Sequence, residues 1–283
     1  MTVFVLAAFT LREATRRKAL LAALIVTVAF LGLYALGVWF IFRESRYLTH
    51  PSEYSAGLRQ ATISGLLLAG LYVINSMAGL LAIFTSVGAI SGEVDQGTLH
   101  AVIPRPLHRW QVVAGKWLGY AAMLVPYVAI TSLAAMGIMW LISSVFPSGA
   151  AAGVAMMSLG ALLLLSLSLA GSTFLPTIAN GIVIFLLYSL GTFGGMIEQM
   201  GWLMSNRTLV NIGIITSLVI PTDSIWKMAA QAMQPNLPLG TLMSGAGPFA
   251  TLNPPSSWMV VYSVIYGVAA LAAGVIIFQR RDL

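Results

Sequence analysis

Long uncharged stretches, separated by short polar breaks, set the pattern of this chain. Residues 60–92 carry no Lys, Arg, Asp or Glu, and neither do the 81 positions of 117–197. Residues 19–42 form a third such run and 257–278 a fourth. About 20 apolar residues in a helix cross the roughly 30 Å hydrocarbon core of a bilayer. Backbone in lipid must satisfy its own hydrogen bonds, which restricts the choice to helices or a closed barrel. The runs predict six helical spans, at 19–42, 62–90, 110–142, 150–170, 177–197 and 257–278. Local breakers divide the longest run: Ser143, Ser144, Pro147, Ser148 and Gly149 end the third span, while Gly171, Ser172, Thr173 and Pro176 end the fourth. Pro126, inside the third span, predicts a kink. Gly65, Gly70, Gly79 and Gly88 mark the second as a span that packs closely on its neighbours.

Two segments do not cross. Residues 1–18 place Phe4, Ala7, Leu11 and Ala14 at helical spacing beside Arg12, Glu13, Arg16 and Arg17. That pattern predicts an N-terminal interfacial helix, with an extended start of the first span as the alternative. Residues 198–256 hold an apolar run, 209–220, too short to cross, which ends at Pro221-Thr222-Asp223. Charge distribution supports this division. Six spans put Arg12, Arg16, Arg17, Lys18, Arg105, Arg109, Lys116, Arg280 and Arg281 on one side, against Arg43, Arg46, Arg59, Arg207 and Lys227 on the other. The excess marks the cytoplasmic face and places both termini there. The expected fold is all-α and polytopic: an interfacial helix (1–18), then a six-span domain (19–283). The domain contains a cytoplasmic segment at 91–116 and an external, interfacial or re-entrant loop at 198–256.

Composition agrees and narrows the field. Of 283 residues, 59% are hydrophobic and 8% charged, where a soluble domain carries about 25% charged residues. The net charge of +6 is then a membrane-face signal rather than a nucleic-acid one. The 24-residue apolar run behind the first basic cluster exceeds a signal-peptide core, so a retained span is expected. Without cysteine, disulfides and thiolate metal sites are excluded.

The most informative polar segment is the island between spans two and three, Gly92 to Lys116. Thr98 caps a short helix, and Leu99, Val102 and Ile103 share one face of it. Pro104 ends the turn and Arg105-Pro106 keeps the chain extended. The predicted product is an amphipathic knob between two rigid helices, so that moving it moves both. Glu93 and Asp95 either contact a partner or Arg105 and Arg109, or are solvated at a helix end. Arg105 and Arg109 can also bind lipid phosphates.

Glu93-x-x-x-Gly97-Thr98-Leu99, Pro106-x-x-Arg109 and Gly115-Lys116 together resemble the region after the second span in permeases of the ATP-binding-cassette type-2 exporter superfamily. Leu11-Arg12-Glu13-Ala14 is similar to the entry helix of that group, and the likeness extends over the whole architecture. His108 stands where Ser is usual and His100 where an acidic residue is common. The resemblance implies a half-transporter at the inner (plasma) membrane. Its coupling helix would dock on a separate ATPase subunit through Glu93, Asp95, Gln96, Gly97, Thr98, Leu99, Val102, Arg105 and Arg109. A second permease copy, identical or related, completes the unit. No cofactor is expected in this chain, since ATP and Mg belong to the partner. Accordingly, Trp110 stands where a phosphate loop ending in Gly115-Lys116 would need its first Gly.

Asn75, Asn180 and Tyr188 are polar groups within spans, either hydrogen-bonding between helices or lining a substrate path. Pro221, Asp223 and Trp226 form a candidate external gate, with Trp226 seated on headgroups as the alternative. His50, His100 and His108 fall on opposite sides of the membrane without ligand spacing, so no metal site is expected. The leading expectation is ATP-driven export of an amphipathic or lipid-like substrate, by a chain that is not itself an enzyme. The rivals are mechanical work on an external partner protein, such as metalloenzyme maturation, and an intramembrane enzyme or secondary carrier. The enzyme lacks a clustered acid, base or nucleophile, and the carrier lacks intramembrane charges.

Overall fold

Uncharged runs bounded by Ser, Gly and Pro fold as their composition requires. A computed structural model describes residues 2–16, 18–45, 53–95, 108–234, 251 and 255–280, and every regular element among them is helical. In chain order these are α1 (Thr2–Arg16), α2 (Lys18–Ser45), α3 (Glu53–Ser86), α4 (Ser91–Asp95), α5 (Arg109–Ser143), α6 (Ala150–Gly171), α7 (Thr177–Leu203), α8 (Arg207–Val219), α9 (Thr222–Met233) and α10 (Trp258–Arg280). Six segments are long and apolar enough to cross a membrane: Lys18–Arg43, Arg59–Glu93, Arg109–Ser143, Ala150–Gly171, Thr177–Leu203 and Trp258–Arg280. Each predicted span lies within one of them, apart from one residue at the start of the last.

Breaks fall where the local chemistry places them. Ser144 ends α5 in the left-handed region at φ 59°, and Gly149 opens α6. Gly149 is needed there, because a Cβ would strike the Ala232 carbonyl near the end of α9. Between α6 and α7 the Ser172 and Thr173 hydroxyls turn back onto the Leu169 and Ala170 carbonyls, and Pro176 precedes the first residue of α7. α5 runs through Pro126 as one helix.

The central spans are α3, α5 and α6, which bury about half of their most apolar stretch, whereas α2 and α10 bury little of theirs. Their exposed faces carry Ile25, Val28 and Leu33 on α2, and Ile265 and Val268 on α10. In lipid such surfaces need no cover. Polar contacts across spans include the Thr27 and Tyr127 hydroxyls, 2.5 Å apart, and Trp117 Nε1, which donates to Ser166 Oγ at 2.9 Å.

The N-terminal helix is a separate element, and of its four residues at helical spacing Ala7, Leu11 and Ala14 face the bundle while Phe4 does not. Phe4 and Phe9 are exposed, while Thr10 and Ala14 are buried. Leu6, Ala7 and Thr10 sit against Gly115 and Gly119 of α5, where a glycine Cα lets the two helices touch. Small groups meet at the helix contact and the large apolar ones face outward, the order expected in lipid.

Residues 198–256, expected as an external segment with a re-entrant piece, contain two helices bent by 104° at Ile220–Pro221. α8 folds back along α7, with Gly201 and Gly213 at the contact. Asn206 caps the start of α8 by accepting from the Thr208 and Leu209 amides. At its other end the Leu218 and Val219 carbonyls accept from Tyr262 and Tyr266 of α10, at 2.6 and 2.8 Å. α9 is then tucked into the bundle, with nine of its twelve residues buried.

Candidate functional site

Two polar clusters stand at opposite ends of the bundle. The first, at the end that holds the termini, surrounds the segment joining α4 to α5. Of the predicted coupling residues, Gln96, Gly97, Thr98, Leu99, Val102 and Arg105 lie outside the described residues. Asp95 closes the short helix α4. Glu93 and Arg109, on either flank, can be followed atom by atom.

Glu93 pairs with Lys116 of α5, Nζ to Oε1 2.5 Å, and the same ammonium donates to the Ala89 carbonyl at 2.5 Å. The reason lies in the backbone of residues 87–90, a turn between α3 and α4. There the Glu93 amide bonds to the Ile90 carbonyl instead of that of Ala89, which leaves Ala89's oxygen for Lys116. Lys116 is only 6% exposed. A buried ammonium needs such partners, since unpaired it would cost several kcal/mol (order of magnitude).

Arg109 reaches the last span. Its Nη1 donates to the Phe278 carbonyl at 2.7 Å and that of Gln279 at 3.2 Å, with the guanidinium 5.7 Å from the Phe278 ring centre. Late carbonyls of a helix lack intrahelical donors and carry the negative end of its dipole, which makes them a natural seat for a cation.

Asn180 lies on the other side of the 87–90 turn. Fully buried, it donates to the Val87 carbonyl at 2.9 Å and to that of Ser168 at 2.8 Å, joining α7 to the turn and to α6. Gly171 leaves room for its amide. One turn earlier, the hydroxyl of Thr177 meets that of Ser91 at 2.9 Å. Of the three predicted path residues, Asn180 is thus a bridge between helices. Asn75 is half-buried on α3, and Tyr188 on α7 has Ser76 and Thr192 as polar neighbours.

The second cluster, at the far end, joins α7 to α9. Lys227 donates to Glu198 Oε2 at 2.8 Å and lies 2.9 Å from Asp223 Oδ2, the latter a less well aligned ionic contact. All three side chains are at most 14% exposed. Burial pushes the Asp223 carboxyl above its ordinary range, against the pull of Lys227, and Glu198 adds to the rise. For Lys227 burial works to lower the value, but the two carboxylates prevail and it ends raised. Pro221 sets the bend before α9. Trp226 is buried edge-on against Tyr72 of α3, ring centres 5.2 Å apart, which excludes a seat on headgroups. Pro221, Asp223 and Trp226 therefore sit together at the end of the bundle away from the termini, as part of its packing.

Sequence reasoning missed two members of this cluster. Glu198 and Lys227 read as loop charges, although the i, i+4 spacing of Asp223 and Lys227 was a signal for a helical ion pair. Lys116 was read without its partner, because a lysine in a membrane face needs none.

No curated protein matches this chain. The family model described as ABC-2 family transporter protein matches residues 11–283, and with that extent, joined to six apolar helices, the chain belongs to the ABC-2 transporter family.

Proposed function

We propose that this chain is the membrane-spanning subunit of an ATP-binding-cassette exporter. A separate ATPase subunit binds ATP and Mg, and docks on the segment between α4 and α5 from the cytoplasm. Both termini lie on that side of the inner membrane, and a second permease copy completes the transporter. The observation that carries this reading is the double anchorage of the segment: Glu93 on its entry side is tied to α5, and Arg109 on its exit side to the end of α10. A segment so held passes a pull from outside into the bundle, which rests in one of two packings that ATP biases at the partner.

The cargo is amphipathic or lipid-like. Supporting this, the outward faces of α2, α7 and α10 are apolar along their length, and polar side chains in the described spans are largely engaged with backbone carbonyls.

The test is co-purification with a candidate ATP-binding-cassette ATPase subunit co-expressed with this chain. Leu99→Asp and Val102→Asp put a carboxylate on the face that the sequence pattern marks as apolar, and each is expected to abolish the complex while the permease still folds. Undiminished complex in both variants, or a wild-type chain that binds no ATPase, overturns the reading. Sidedness is read with single cysteines at Ser256 and Arg280, both exposed. Impermeant maleimide should label the first from outside and the second only from the cytoplasm.

A further inference from the structure

We infer that Lys116 is the positioning residue through which displacement of α4 enters the bundle, acting inside the permease and not as an ATPase contact. This rests on the ATPase docking proposed above.

The geometry is that of a clamp across a hinge. Between α3 and α4 the chain leaves regular helix at residues 87–90, where the Ala89 amide bonds to Ser86 and the Glu93 amide to Ile90, three residues back instead of four. Such a break is a place where α4 can swing relative to α3. Lys116 spans it with one ammonium, held by the carbonyl of Ala89 within the turn and the carboxylate of Glu93 beyond it. With both bonds made, α4 cannot turn without carrying α5.

α7 grips the opposite side of the same turn. Asn180 takes the Val87 carbonyl, Thr177 takes the Ser91 hydroxyl, and the methyl of Thr177 fills the space over Gly88. The turn is thus fixed between α5 and α7, whose far end carries Glu198 of the buried triad. Displacement of α4 has a continuous route to the outer mouth: through Lys116 to α5, and through Asn180 and Thr177 along α7. The physical warrant for coupling is an element that two sites bias, not proximity alone, and here that element is the hinge.

Lys116 also has the character of a transmitter and not of a core support. Its partner Glu93 is 37% exposed, so when the ammonium is removed the carboxylate can turn to water. The expected consequence is an α4 no longer tied to α5 by this ammonium, in a folded protein. Lys116→Met retains the apolar stem and deletes only the charge.

The experiment uses the permease co-expressed with the ATPase subunit that co-purifies with it, in nanodiscs, with spin labels on cysteines at Met204 and Trp258. Both are exposed at the far end, and the chain has no native cysteine to remove. ATP with vanadate should shift the distance distribution between the labels in the otherwise wild-type complex. Lys116→Met is expected to co-purify with the ATPase as well as wild type does, yet to show an ATP-induced population shift reduced about tenfold, a typical coupling magnitude. Glu93→Ala should lose the shift to the same degree, the double variant should be no worse than either single one, and Lys116→Arg should retain most of it. A full ATP-induced shift in Lys116→Met, additive losses in the double variant, or loss of the ATPase from Lys116→Met overturns the inference. Should Lys116→Met fail to fold, Glu93→Ala alone decides by the same shift. A wild-type complex that does not form speaks against the docking reading itself, and is seen before any variant is compared.

Discussion

Asp223 of α9 lies directly against the bare Cα of Gly195 on α7, so closely that a methyl group there would occupy the space of the carboxylate. This contact seats the re-entrant helix against the fifth span and brings Asp223 and Glu198 to the same ammonium. Gly195→Ala is therefore expected to displace α9 and to lower stability by about 1–3 kcal/mol, as overpacking does. Gly32→Ala is the control, because nothing in the chain lies within 4 Å of its added methyl. Thermal unfolding of the detergent-solubilised protein, followed by size-exclusion fluorescence, should separate the two. Equal melting temperatures would remove the importance of the contact.

Lys227 holds two buried carboxylates apart from each other's charge. Lys227→Met leaves them unpaired, and a loss of about 3–5 kcal/mol is expected. Its pH dependence follows from the sign of the Asp223 shift. A carboxyl whose value is raised by folding contributes most stability below its unfolded value, and that contribution is lost as pH rises through the folded one. Without Lys227 the rise is larger, so the deficit of Lys227→Met relative to wild type should shrink on acidification and grow on alkalinisation. The same deficit at pH 5 and pH 8 would show that the carboxylates are not what the ammonium serves. Replacing all three groups (Glu198→Gln, Asp223→Asn, Lys227→Met) should recover much of the loss.

Asn180 gives a third expectation. Its amide donates two bonds to the backbone of two other elements, and measured interhelical hydrogen bonds in membranes average about 0.6 kcal/mol with a maximum near 1.7. Asn180→Leu leaves the Val87 and Ser168 carbonyls without those donors, and a loss of about 1–3 kcal/mol is expected from two bonds together. Asn75→Ala, on a half-buried position of α3, should leave the melting temperature nearly unchanged. If the two variants melt alike, Asn180 is not the bridge that its geometry indicates.

What the sequence made legible, and what it did not, follows from the range of each signal. The spans were readable because crossing a bilayer imposes a long uncharged run on every helix separately, and Pro176, Gly149 and Ser144 act within a few residues of where they stand. Relations between helices were not readable in this way. Glu198 and Lys227 are 29 positions apart in the chain but share a hydrogen bond, and only the fold brings them together. Which side of α1 meets the bundle was not legible for a physical reason: in water the apolar side of a helix is the buried one, whereas in lipid small residues mark the contact. Hence Phe4 faces outward while Thr10 meets Gly119. For Trp226 the residue type left a gate position and a seat on headgroups both open, and the 104° bend turns it inward onto Tyr72.

The end of α8 supplies the last prediction. This helix of 13 residues has terminal carbonyls that intrahelical amides cannot reach. Two of them are met instead by the phenols of Tyr262 and Tyr266, which stand one turn apart on α10. These bonds tie the re-entrant pair to the sixth span, and the ring of Tyr262 lies 5.9 Å from that of Tyr266. Changing both to Phe keeps the rings and deletes only the hydroxyls. The packing of α10 should then persist, while the last turn of α8 frays, since a lost hydrogen bond of this kind is worth about 0.5–1.5 kcal/mol. Hydrogen exchange read by mass spectrometry is the suitable measure. Amides of 216–220 should exchange roughly tenfold faster in the double variant, as about 1.4 kcal/mol of local opening requires, while those of 262–275 stay unchanged. Equal protection of 216–220 in both proteins would mean that the α8–α9 bend is held by the triad and by Pro221 without help from α10.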